Sequence, residues 1–157
     1  MFSILEMFKI GVGPSSSHTV GPMVAACKFV ESLEHTGTLG RVRRVRTVLY
    51  GSLALTGLGH GTDRATVAGL EGNMPQTVDT DHVNIIRHEC ESSGELLLAG
   101  KHRIDFDYAH DVVMDVWHRL AAHPNGMRFQ AFDQQNNLVD EQVWYSIGGG
   151  FKAMPRI

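Results

Sequence analysis

Cysteine is nearly absent: only Cys27 and Cys90 occur in 157 residues, and they lie far apart in the chain. Two thiols cannot build a disulfide framework, so cross-links are excluded as the source of stability. Long apolar runs are missing too. Stretches such as Leu96-Leu97-Leu98-Ala99 fall far short of the roughly 20 residues that a membrane-spanning helix needs. An excess of one charge sign is also lacking, because 14 Lys and Arg stand against 17 Asp and Glu, for a formal net charge of −3. That balance gives no handle for nucleic acid or an anionic membrane surface. The opening segment, Met1 to Lys9, has no basic stretch before its apolar run and carries Glu6 inside it, so it does not read as a signal peptide. No repeat, low-complexity tract or linker divides the chain. These absences predict a single domain over residues 1–157 in a reducing cytoplasmic setting, with no nucleic-acid and no membrane partner.

What the chain does have is a core. Apolar residues make up 43% of it, too many for a disordered segment. Met23, Ala26, Cys27, Val30 and Leu33 recur at helical spacing and predict a first helix starting between Ser16 and Pro22, with Gly37 just beyond its end. Val42 to Tyr50 reads as a strand with Val45, Thr47 and Leu49 on one face and Arg44 and Arg46 on the other. Gly57-Leu58-Gly59-His60-Gly61 then reads as a break, followed by a short helix capped by Thr62. A third helix is expected over Asp81 to Ser92, capped by Thr80, with Val83, Ile86 and Cys90 inward. Beyond Glu95 the pattern turns to short strands. Glu95–Ala99 and His102–Phe106 flank a Gly100-Lys101 hairpin, Val112, Met114 and Val116 alternate, and Met127–Phe132 and Leu138–Tyr145 flank a polar turn. The resulting fold class is α+β, with helices packed on one face of a largely antiparallel sheet.

Nine histidines are many for this length, and their positions decide what they mean. His82, His88, His110 and His118 lack the spacing of a zinc site, and no H-E-x-x-H occurs. His18 closes a segment of glycines and hydroxyls, Gly11-Val12-Gly13-Pro14-Ser15-Ser16-Ser17-His18-Thr19-Val20-Gly21-Pro22, that leads into the first helix. Glycines admit a ligand close to the backbone, helix amides favour an anion, and His18 can move a proton near neutral pH. The segment is neither a nucleotide P-loop, which needs a lysine after its last glycine, nor a dinucleotide fingerprint. A Ser-rich helix cap with a surface histidine explains the same residues, and spacing alone leaves both readings open. His60 sits between glycines with Thr62 and Asp63 near enough in sequence to orient its ring. His123-Pro124-Asn125-Gly126 is a turn whose proline holds His123 extended. Taken alone, both segments read first as plain turns.

Taken together these segments resemble the bacterial single-chain iron–sulfur L-serine dehydratases. Phe8 to Pro22 matches the opening of that family, and the likeness continues through Tyr50-Gly51-Ser52-Leu53, Gly59-His60-Gly61-Thr62-Asp63, His123 to Met127 and Tyr145-Ser146-Ile147-Gly148-Gly149-Gly150-Phe151. The resemblance implies an N-terminal β domain, similar in fold to the allosteric substrate-binding domain of phosphoglycerate dehydrogenases. It implies that a C-terminal helical domain of the same polypeptide carries a [4Fe–4S] cluster, to which Cys27 and Cys90 contribute nothing, so this chain supplies no metal ligand. It also implies conversion of L-serine to pyruvate and ammonia, with the fragment inactive alone. His60 is then the first candidate for acid–base work and His18 the second. Ser15, Ser16, Ser17, Thr19, Asp63, His123 and Asn125 are the expected substrate contacts. Lys9, Lys28, Lys101 and Lys152 lack the Ser-x-Lys setting of PLP dehydratases. A homodimer formed through an exposed sheet is compatible with this arrangement. The competing expectation is a serine-sensing module with no chemistry of its own.

Overall fold

The computed structural model describes residues 16–120, 124–147 and 150–153. A π-helical turn, Ser16–Val20, runs without interruption into α1, Gly21–His35. Strand β1 (Arg44–Tyr50) leads to α2 (Gly51–His60), α3 (Thr62–Leu70) and α4 (Thr80–Ser93). The hairpin β2 (Glu95–Leu98) and β3 (His102–Asp105) forms a small sheet of its own. A single helical turn, Tyr108–Asp111, precedes β4 (Val112–Asp115), and β5 (Gly126–Phe132), β6 (Leu138–Ile147) and β7 (Gly150–Ala153) follow.

Five strands form the main sheet in the order β4-β1-β5-β6-β7. Only β1 and β4 run parallel; the other neighbours are antiparallel. The expected α+β class, with a largely antiparallel sheet, is what forms. Pairing of Val45 with Ala131, Thr47 with Phe129 and Leu49 with Met127 puts one buried row against the helices. Phe29 of α1 stacks on Phe129 with ring centroids 5.3 Å apart, fixing the helix on the sheet. Arg44 and Arg46 point to the opposite face, where Arg44 pairs with Asp111 at 2.8 Å.

Three local expectations fail. The glycine-rich run from Gly57 to Gly61 does not break structure, because α2 continues to His60 and only Gly61, at φ +73°, ends it. Glycines cost about 1 kcal/mol each in a helix, but Leu53 anchors α2 in the core and Gly57 fits where Met114 and Thr62 leave no room for a side chain. Thr62 is the first residue of α3 and caps nothing with its hydroxyl; the N-cap is Gly61. On α4 the cap is Asp79, whose carboxylate accepts from the Asp81 amide at 2.9 Å, and not Thr80. Both threonines lie one position inside the helix, where the side chain no longer reaches the orphan amides. The alternating stretch after Asp111 is a strand, though only to Asp115.

Candidate active site

His18 and His60 come from segments that the sequence keeps apart, and the fold brings their rings to 5.6 Å between centroids with a 43° tilt. His18 is held in the π-helical turn, a wider coil than α-helix that often marks functional sites. His60 is the last residue of α2. At the start of α2 the Ser52 hydroxyl meets His18 Nε2 at 3.1 Å.

The start of α2 is held from a third direction. Its first amides, which have no partner within the helix, are taken by carbonyls of the segment after β4. Gly51 N–H donates to His118 O at 3.1 Å and Ser52 N–H donates to Pro124 O at 3.2 Å. Gly51 adopts φ +52°, and a Cβ there would meet Pro124 O at 3.0 Å, so the junction tolerates glycine alone. The carbonyl of the next residue, Asn125, accepts from Ser146 N–H at 3.0 Å and ties this turn to the end of β6. Three of the sequence segments singled out for chemistry therefore converge on one region.

The predicted site residues separate accordingly. His18, His60 and Asn125 belong to the convergent region, with Asn125 buried. Ser16 and Ser17 lie in the π-helical turn beside His18, and Thr19 is wholly buried there. Ser15 and His123 fall outside the described residues. Asp63 is turned elsewhere: its nearly buried carboxylate accepts from the Tyr108 hydroxyl at 2.7 Å and lies 4.0 Å from Arg87. Neither Asp63 nor Thr62 is hydrogen-bonded to His60, so the expected orienting contact does not form. Of the other histidines, His82 hydrogen-bonds to Glu71, His110 to Asp107 and His118 to Asp115, and none of these bonds involves His18 or His60.

The electrostatics favour a neutral His18. Burial, and then the proximity of His60, hold its pKa below the ordinary 6.5, while hydrogen bonding to Ser52 pulls the other way. His60 Nδ1, Thr62 Oγ1 and Ser146 Oγ are buried with no hydrogen-bond partner among the described residues. A buried polar atom left unpaired costs about 1–3 kcal/mol, and an unpaired Nδ1 on one of two adjacent histidines leaves a place for a polar ligand.

No group of three His, Cys, Asp or Glu side chains among the described residues is placed to hold a metal ion. Cys27 is buried on α1 and Cys90 on α4. Burial is the main reason their thiols are pushed up to about 11 and about 12. Cluster ligands are thiolates, so these two residues do not fit an iron–sulfur centre.

The model for the serine dehydratase beta chain matches residues 3–154. This chain belongs to that family. It is 47% identical over 150 residues to the L-serine dehydratase of Helicobacter pylori, covering 96% of this chain and 32% of that protein. To the L-serine dehydratase of Streptomyces coelicolor it is 46% identical over 149 residues, covering 95% and 33%. To L-serine dehydratase 1 of Escherichia coli it is 46% identical over 152 residues, covering 96% and 33%. The chain thus spans about a third of the length of the curated relatives it matches.

Sequence reasoning missed Ser52 and Ser146 as participants. Ser52 was visible as a hydroxyl one residue past a strand-ending Tyr50-Gly51. Ser146 was visible as a small polar residue on the inward phase of β6. Neither signal says which histidine or turn the residue would meet.

Proposed function

We propose that this chain is the β domain of an L-serine dehydratase, supplying substrate contacts and acid–base histidines for conversion of L-serine to pyruvate and ammonia. The observation that carries the reading is the His18–His60 pair, with Ser52 hydrogen-bonded to His18, at the meeting point of three family motifs. A [4Fe–4S] cluster does not fit the residues described here. If the enzyme uses one, its ligands come from the two-thirds of the relatives that this chain does not span.

The chemistry asked of this chain is proton movement. Elimination removes the Cα proton of serine and expels its hydroxyl as water, leaving aminoacrylate. That product tautomerises to an imine and takes up water to give pyruvate and ammonia. The Cα proton is weakly acidic, so a base must be placed against it. His60 fills that role, with a buried Nδ1 that no described residue occupies. His18, kept neutral by burial and by its neighbour, stands by as the second group able to take or return a proton. Residues of the Ser15–Thr19 segment and Asn125 orient the substrate carboxylate and amine. Asp63 contributes from behind, by fixing the start of α3 through Tyr108.

The two cysteines are free and buried, which supports the reducing, cytoplasmic setting assigned from sequence. No helix among the described residues is long and apolar enough to cross a membrane. The test is a pyruvate assay with iron and sulfide analysis. This chain alone should bind no iron and make no pyruvate from L-serine, whereas a polypeptide of the relatives' full length carrying it should do both. Turnover by the isolated, iron-free chain would sink the proposal. A serine-sensing module would instead bind L-serine by calorimetry and leave turnover indifferent to loss of His60.

A further inference from the structure

Ser52 is anchored through both its amide and its carbonyl before its hydroxyl meets a histidine. Its amide donates to Pro124 O at 3.2 Å, and its carbonyl accepts from the Thr56 hydroxyl at 2.9 Å. Leu53, the next residue, is fully buried in the core. The serine therefore sits on a helix turn that cannot shift without moving the Pro124–Asn125 turn and the core together. A hydroxyl mounted this rigidly is a preorganised support, and imidazoles that move protons need their ring orientation fixed by such a neighbour. Ser52 Oγ lies 3.1 Å from His18 Nε2, and the same helix carries His60 at its far end. One helix thus carries both the serine that meets His18 and, at its far end, His60.

From this geometry we infer that Ser52 is a positioning residue, whose hydroxyl fixes the ring orientation and protonation pattern of His18 opposite His60. The inference rests on the dehydratase reading for its consequence in turnover, and on the hydrogen bond alone for its consequence at His18. Helix α2 tolerates the change to alanine, because the Ser52 amide and carbonyl keep their partners.

The experiment compares wild type, Ser52→Ala and Ser52→Thr in the full-length, cluster-loaded polypeptide, with ¹⁵N-histidine NMR on the same proteins. Ser52→Ala should lower kcat by about ten- to a hundredfold, leave KM within about twofold and displace the acid limb of the kcat–pH profile. Ser52→Thr, which keeps the hydroxyl, should recover most of the loss. The His18 ring nitrogen shifts should change in Ser52→Ala and return in Ser52→Thr. An active wild type with an Ala variant of unchanged kcat and pH profile overturns the inference. So does a loss that threonine fails to recover while the His18 shifts stay put, since the serine would then act only through packing. If the wild type makes no pyruvate, the dehydratase reading fails instead. The NMR comparison still judges Ser52, with unchanged His18 shifts overturning its role.

Discussion

The rings of His18 and His60 stand 5.6 Å apart, close enough that a proton on one opposes a proton on the other. Burial and this repulsion both lower the His18 pKa from 6.5. The folded chain consequently binds fewer protons at His18 than the unfolded chain does as pH falls through 6.5. Stability contributed by the neutral ring is present above that value and is lost toward the lower, folded value. Replacing His60 by alanine removes the repulsion and part of the burial, so the His18 pKa should rise toward 6.5. An NMR titration of the His18 ring checks this. A pKa that stays put or falls in His60→Ala would show that the two rings are not coupled.

His60→Ala should also abolish most turnover in the full-length enzyme. A positioned acid–base group contributes about 10²- to 10⁴-fold, and the loss should appear in kcat with KM little changed. His82→Ala is the matching control, since that ring, on α4, pairs with Glu71 just past the end of α3. Turnover of His60→Ala near the wild-type rate, with normal iron content, would remove His60 from its role.

How much of this was legible in advance depended on the range of the interaction. Met23, Ala26, Val30 and Leu33 fall on one side of a helix because the period of 3.6 is local, and all are buried as expected. The inward row Val45, Thr47 and Leu49 followed from a period of two in the same way. His18, His60 and Asn125 were visible as residue types in glycine-rich or turn settings, and they do share a region. Their common support was not visible, because Ser52 meets His18 across 34 positions of chain and Pro124 across still more. Asp63 illustrates the converse. Its closeness to His60 in sequence suggested a partner, but the positive φ of Gly61 swings α3 away and hands the carboxylate to Tyr108.

Tyr108→Phe should destabilise the chain while leaving the fold intact. Among the described residues the phenol is the one hydrogen-bond donor to the Asp63 carboxylate, and Asp63 has only 3% of its surface exposed. Taking away a partner from a nearly buried carboxylate costs about 1–3 kcal/mol. Arg87, 4.0 Å from Asp63 and stacked over the Tyr108 ring at 5.1 Å, keeps the loss toward the middle of that range. Urea unfolding measures it, and a change below about 0.5 kcal/mol would mean that water replaces the phenol at little cost.

Two glycine-to-alanine changes should move stability in opposite directions. In an exposed helix position alanine stabilises by roughly 0.5–1 kcal/mol relative to glycine. Gly59 on α2 is such a place, for a Cβ there meets nothing within 4 Å. Gly69 on α3 is not. A methyl group there would run into the Met23 carbonyl oxygen, and the Ala26 methyl lies 2.8 Å from the same point. Because the obstacle is backbone of α1, it cannot rotate out of the way as a side chain would, and the two helices must separate. Overpacking of this kind costs about 1–3 kcal/mol, more than the helix preference returns. Thermal melts of Gly59→Ala and Gly69→Ala should therefore bracket the wild type. A Gly69→Ala chain that melted at or above the wild-type temperature would show that α1 and α3 can separate there without cost.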